Sequence, residues 1–324
     1  MSWDIDRVKQ ELRGPVALAV PPFNEDLSLN LDAFREHIRF MIAGGLRMGQ
    51  GVLICPSGTG EYLSLSPEEH RLMVQTAVEA VDGRFPVVAG VAGIDINHVI
   101  ELARNARRAG ARYAMIPAPF YDSIDQDGLY EWYRILSEKL DLGIMIYDQS
   151  WRSDLGTSLG LPLMERLTGL KNVVSLKYGS PSHLEAMIVA LERFSDRFAF
   201  IDNSLGYTAA VGHMHGGTGF ISGPAAWWPE FELHFFKLLE EGKYQEADRW
   251  HARLAPYMAW FHGEFWKASR FFHGSAVLKA TLEYVGLYGG PLRPPFRAMN
   301  AQEKRELHAV MEQIGVKKPA YATR

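Results

Sequence analysis

Eight short apolar runs, each separated from the next by a stretch of helical periodicity, constrain this chain more than any other feature. The runs fall at residues 16–20, 52–55, 85–91, 113–117, 143–147, 173–177, 198–201 and 219–221. They are continuous rather than alternating, the pattern of parallel strands covered on both faces. The intervening stretches predict helices over 31–42, 67–81, 95–109, 126–140, 159–167, 182–194 and 205–214. Local punctuation agrees. Ser66-Pro67-Glu68-Glu69 combines a cap, a proline at the first helical position and a capping box, and Gly44-Gly45 and Gly110 end the helices before them. Eight such units in roughly 220 residues is the length of a (β/α)8 barrel. An open doubly wound sheet is the rival, but no G-x-G-x-x-G follows the first strand. The expected fold is therefore α/β, a (β/α)8 TIM barrel over residues 1–228. Residues 229–324 read as a C-terminal helical appendage, with helices predicted over 231–241, 244–261, 275–285 and 301–314, packed on the barrel or on a neighbouring subunit.

Composition narrows the function classes. A net charge of −4 provides no basic field for nucleic acid or an anionic membrane. Any positive partner for an anionic substrate must be local. The one cysteine, Cys55, excludes an internal disulfide and suits a reducing cytoplasm. The start of the chain is polar and charged and has no signal-peptide core. No apolar run approaches a membrane span, and the Cys and His residues lack zinc-type spacing.

In a barrel of this kind, chemistry gathers at the C-terminal ends of the strands. Strand two leads into Ser57-Gly58-Thr59-Gly60-Glu61, strand four into Pro119-Phe120-Tyr121-Asp122, and strand five ends at Tyr147 before Asp148, Gln149 and Arg152. Strand six ends in Lys177, and strand eight runs into Ile221, Ser222 and Gly223. A lysine closing an apolar β-branched run has two readings. It snorkels into water, or it is a desolvated amine of lowered pKa that attacks a carbonyl to form a Schiff base. The glycines around Thr59 allow a sharp turn whose N–H groups could hold a carboxylate, or they simply make a tight turn. Tyr147 is a proton shuttle or a core tyrosine with a wet tip. Arg152 grips a carboxylate bidentately or is one more solvated arginine. Glu61 is a buried partner of this turn or a loop carboxylate. His213 and His215 precede strand eight, on the wrong side of the barrel, and read as structural.

Taken together, these residues resemble a known family. Ser57-Gly58-Thr59-Gly60-Glu61 is similar to the G-T-T-G-E signature of the dihydrodipicolinate synthase/N-acetylneuraminate lyase family. Ile146-Tyr147-Asp148 resembles its I-Y-N, Pro119-Phe120-Tyr121 its P-Y-Y, and Gly219-Phe220-Ile221-Ser222 its G-V-I-S. Val173-Val174-Ser175-Leu176-Lys177 resembles the strand bearing that family's Schiff-base lysine. Order and spacing fit from about residue 14 to residue 229. The resemblance implies a class I aldolase-type lyase in which Lys177 forms an imine with pyruvate or a longer 2-keto acid. Tyr147 would relay protons, and Gly58, Thr59, Gly60, Ile221 and Ser222 would surround the substrate. Tyr121 would be the tyrosine near a subunit interface of a homotetramer built from dimers. No cofactor is implied.

The departures from the family pattern set the expected branch. Gly58 stands where the synthases carry a relay threonine. It looks like the G-G-T-G-E of the 5-dehydro-4-deoxyglucarate dehydratase branch, and a glycine there leaves room for a longer, hydroxylated substrate. Asp148 replaces the usual asparagine, and Gln149-Ser150-Trp151 replaces a more proline-like loop. Arg152 falls where the synthases hold a second substrate's carboxylate. The expectation is a dehydratase-like sugar-acid lyase. The alternatives are a 4-hydroxy-tetrahydrodipicolinate synthase-like condensation of pyruvate with an amino-acid aldehyde, or a barrel that binds a keto acid without turnover.

Overall fold

In the computed structural model, residues 3–148, 158–179, 184–265 and 274–317 are described. Eight parallel strands close into one barrel in sequence order: β1 (Gly14–Leu18), β2 (Val52–Ile54), β3 (Val87–Gly90), β4 (Tyr113–Pro117), β5 (Gly143–Tyr147), β6 (Val173–Tyr178), β7 (Ala199–Asp202) and β8 (Gly219–Ser222). Nearly every strand residue is buried, which is why the sequence shows runs rather than alternation. The helices are α1 (Ile5–Glu11), α2 (Leu31–Ala43), α3 (Pro67–Val81), α4 (Ile96–Arg108), α5 (Gln126–Lys139), α6 (Leu161–Leu167), α7 (Leu184–Phe194), α8 (Ala209–Met214) and α9 (Pro229–Glu240), followed by α10 (Tyr244–His251), α11 (Ala255–Phe265), α12 (Gly274–Tyr284) and α13 (Ala301–Gln313). Ser66 and Glu69 form the reciprocal capping box expected at the start of α3.

Three features depart from the sequence reading. First, α1 went unpredicted. The Asp4 side chain caps it by accepting from the Asp6 and Arg7 N–H groups, and Val8 and Leu12 bury its inner face. Glu11 accepts from the hydroxyl of Tyr113, the first residue of β4, so α1 closes the end of the barrel opposite the mouth. Second, the boundary at 228 cuts the barrel short. α9 follows β8 as the eighth barrel helix, and its Phe235, Phe236 and Leu239 pack with Phe220 of β8. Third, the helix expected over 244–261 breaks into α10, a 3-10 turn at Ala252–Leu254, and α11. Pro256 is the cause. It has no N–H for the helix ladder, and its ring collides with the carbonyl four residues earlier.

The C-terminal helices pack on the barrel. Tyr257, Met258, Val277, Leu278, Leu307 and Met311 belong to the same apolar cluster as Val16, Val52 and Tyr147. One core therefore runs from the barrel interior into the tail.

One irregularity positions the chemistry. Ile144 of β5 pairs with Val173 of β6, but Met145 pairs with Ser175, so Val174 is passed over. Beyond this bulge Tyr147 lies opposite Lys177. An unbroken register would set Leu176 there and turn Lys177 to the outer face, because a one-residue slip inverts every side chain.

Candidate active site

Lys177 sits one residue from the end of β6 and is buried, with 6% of its surface exposed. Its Nζ lies 3.5 Å from the centroid of the Tyr147 ring, over the aromatic face. A ring face attracts an ammonium, yet burial prevails and pushes the amine down to about 7. Desolvation, the one cause acting here, disfavours the charged form. Against an ordinary lysine, this raises the neutral, nucleophilic fraction at pH 7 roughly a thousand-fold. Of the two sequence readings, the desolvated amine is the one the geometry realises.

The Ser57–Glu61 turn approaches from β2. Gly60 is required by contact as well as by flexibility: a Cβ there would lie 2.1 Å from the Ala19 carbonyl oxygen. Glu61 takes a left-handed backbone, φ 53°, and is a buried partner rather than a loop carboxylate. Its carboxylate lies 2.7 Å from Lys279 Nζ, with both side chains almost fully enclosed. It also accepts from the Arg293 backbone N–H at 3.2 Å. Lys279 donates to the Pro291 carbonyl at 2.6 Å, and the Arg293 guanidinium grips Glu69 at 2.8 Å. The Ser275 hydroxyl donates to the Thr59 carbonyl. α12 is thus locked onto the glycine turn by ionic and neutral hydrogen bonds that the solvent does not reach.

Lys177, Tyr147, Thr59 and Ile221 line one cavity of about 180 Å³. Sequence reasoning missed the rest of its wall. The turn after β7 contributes Asn203, Ser204 and Leu205. That turn is held by Asp202, which accepts from Ser204 N–H at 2.9 Å, Ser204 Oγ at 2.7 Å and Thr208 Oγ1 at 3.0 Å. α11 and α12 contribute Tyr257, Met258, Phe261, His262, Val277 and Leu278. The signal that could have found α11 was Pro256, which ends one helix and aims the next across the mouth. Burial holds the His262 imidazole below its usual range, so it is neutral at pH 7.

The other expected site residues lie elsewhere. Ser222 is turned outward: its hydroxyl hydrogen-bonds the Glu232 carboxyl and accepts from Ala225 N–H at 2.9 Å. It does not line the cavity that Ile221 lines, because adjacent strand residues face opposite ways. A Cβ at Gly58 would meet the Tyr62 ring at 3.6 Å, an ordinary van der Waals contact. Neither Gly58 nor Gly60 lines the cavity; Thr59 alone of the turn does. Tyr121 is 79% exposed, and this chain by itself does not bring it to Lys177. Arg152, with Gln149, Ser150 and Trp151, lies outside the described residues. His213 bonds Glu240 at 2.8 Å, a contact between α8 and α9 away from the cavity. Among the described residues, no three His, Cys, Asp or Glu side chains group as metal ligands. No described helix is long and apolar enough to cross a membrane.

Comparison with known proteins gives a consistent result. A family model described as the dihydrodipicolinate synthetase family matches residues 11–314. A 4-hydroxy-tetrahydrodipicolinate synthase of Methanothrix thermoacetophila is 28% identical over 303 residues, spanning 93% of this chain and 97% of that one. The corresponding synthase 1 of Halalkalibacterium halodurans is 30% identical, over 90% of this chain and 94% of its own. Among solved structures, dihydrodipicolinate synthase from Bacillus clausii superposes with a TM-score of 0.83 at 22% identity, over 95% of this chain and all of the other.

Proposed function

This chain belongs to the dihydrodipicolinate synthetase family and is a lyase of that family, and from that premise we propose that it makes or breaks a carbon–carbon bond at C3 of a 2-keto acid held as an imine on Lys177. The observation that carries the reading is the buried amine, set near neutrality by desolvation and facing Tyr147 in the cavity at the barrel mouth. Neutral Lys177 attacks the C2 ketone. The carbinolamine loses water, and the resulting iminium withdraws electrons from C3. Loss of a C3 proton gives an enamine, whose C3 attacks the carbonyl carbon of an aldehyde. The aldehyde oxygen takes up a proton and becomes a C4 hydroxyl. Water then hydrolyses the iminium and frees the amine. The reverse sequence cleaves the same bond.

Tyr147, beside the reacting nitrogen, is the acid/base that carries protons to and from the imine. Backbone groups around Thr59 hold the keto-acid carboxylate, a role suited to a turn pinned in place by Ser275 and by the Glu61–Lys279 pair. The family's tetrameric assembly is the setting in which the exposed Tyr121 would meet a second copy of the chain. One observation favours the aldol-type reading over the dehydratase-like branch expected from Gly58: the relatives above are named synthases.

The test is hydrogen exchange at C3 of pyruvate in D2O, followed by NMR, which needs no second substrate. The wild-type protein is expected to deuterate the methyl group, and Lys177→Met to leave it protonated. Equal exchange in both proteins, or none in the wild type with pyruvate and with longer 2-keto acids, would overturn the proposal.

A further inference from the structure

We infer, resting on the reading of Lys177 just given, that the aldehyde joined at C3 carries an apolar group, aryl or branched alkyl, and that α11 and α12 select it. The cavity that holds the amine is shared with Met258, Phe261, Val277 and Leu278 from those helices and with Leu205 from the turn after β7. A polyhydroxylated chain needs a partner for every hydroxyl, because a buried polar group left unpaired is costly. The polar side chains on this wall are few and largely committed. Lys177, Tyr147 and Thr59 serve the keto acid. The Ser204 hydroxyl gives its proton to Asp202 and accepts from Thr208 N–H. Asn203, Tyr257 and His262 are the other polar side chains of this lining, few beside the apolar ones. Among the described lining residues there is no carboxylate, and Lys177 is the one lysine or arginine.

Leu205 adds an independent sign. Its backbone is left-handed, φ 59°, a conformation that disfavours a bulky residue. The Asp202–Ser204–Thr208 hydrogen bonds hold it there, and the strain places an apolar side chain in the cavity wall. Strain maintained by its surroundings is a mark of functional positions.

The experiment gives the enzyme pyruvate with benzaldehyde, 2-methylpropanal, glyceraldehyde or succinic semialdehyde, and measures kcat/KM for 4-hydroxy-2-keto acid formation. An apolar aldehyde is expected to exceed both polar ones by at least roughly ten-fold, the discrimination a hydrophobic pocket supplies. In Phe261→Asn and in Met258→Thr the ratio of apolar to hydroxylated aldehyde is expected to fall several-fold. The ratio is internal to each protein, so a partly unfolded fraction cancels. Wild-type preference for glyceraldehyde or succinic semialdehyde, or a ratio unmoved in both variants, overturns this inference while C3 exchange with pyruvate leaves the lysine chemistry standing. Absence of that exchange overturns both.

Discussion

Replacing Lys177 by methionine should make the protein more stable. The amine is displaced from 10.5 to about 7 by burial, which means that the folded state resists the ammonium that the unfolded chain accepts freely. Between pH 7 and 10.5 the unfolded chain therefore binds more protons than the folded one, and stability rises with pH across that window. Below pH 7 the penalty is present in full; above 10.5 it is gone. Integrating the displacement gives a cost of about 4 kcal/mol at pH 7 and about 2 kcal/mol at pH 9. The aromatic face of Tyr147 offsets some of this, by up to about 2 kcal/mol for a desolvated cation. Methionine has a similar length, no charge and a flexible shape that fills an irregular site. The expected gain for Lys177→Met is thus about 2–4 kcal/mol at pH 7, shrinking as pH rises to 9. Equilibrium unfolding in guanidinium, followed by the fluorescence of the eight tryptophans, reads it directly. A variant less stable than wild type at pH 7, or a difference that grows with pH, would refute the reasoning and make the charge a structural one.

Three further outcomes follow from the geometry. Lys279→Met strands the enclosed Glu61 carboxylate and should lower stability by about 3–5 kcal/mol; adding Glu61→Gln should recover much of that in thermal unfolding, since no charge is then left unpaired. Gly60→Ala drives a methyl into the Ala19 carbonyl, so the turn must shift, and C3 exchange of pyruvate should fall by roughly ten-fold or more, the scale of a 1 Å misplacement. The rate of imine formation should climb as pH rises through about 7 and then level off, whereas a solvent-exposed lysine would keep gaining reactivity toward pH 10.

The barrel was legible because each strand is buried on both sides and each helix carries its own start and stop residues. The rule that chemistry gathers where strands end was enough to bring Lys177, Tyr147, Thr59 and Ile221 to one place. What escaped depended on contacts remote in sequence. The bulge at Val174 that turns Lys177 inward is a property of two paired strands and leaves no mark on either alone. Ser222 read as a site residue because its strand ends at the mouth, but the pleat turns it toward Glu232. Glu61 gained its meaning from Lys279, far along the chain. α11 reached the cavity because Pro256 broke a helix that periodicity alone would have continued, and with α11 came Met258 and Phe261 of the apolar wall.

The most direct measurement is the mass of the peptide containing Lys177 after treatment with pyruvate and sodium borohydride. Reduction of the imine should add one keto-acid unit at Lys177 and at no other lysine, with faster labelling at pH 8 than at pH 6. Unmodified Lys177 with pyruvate and with longer 2-keto acids alike, or labelling spread over surface lysines, would contradict the account at its centre.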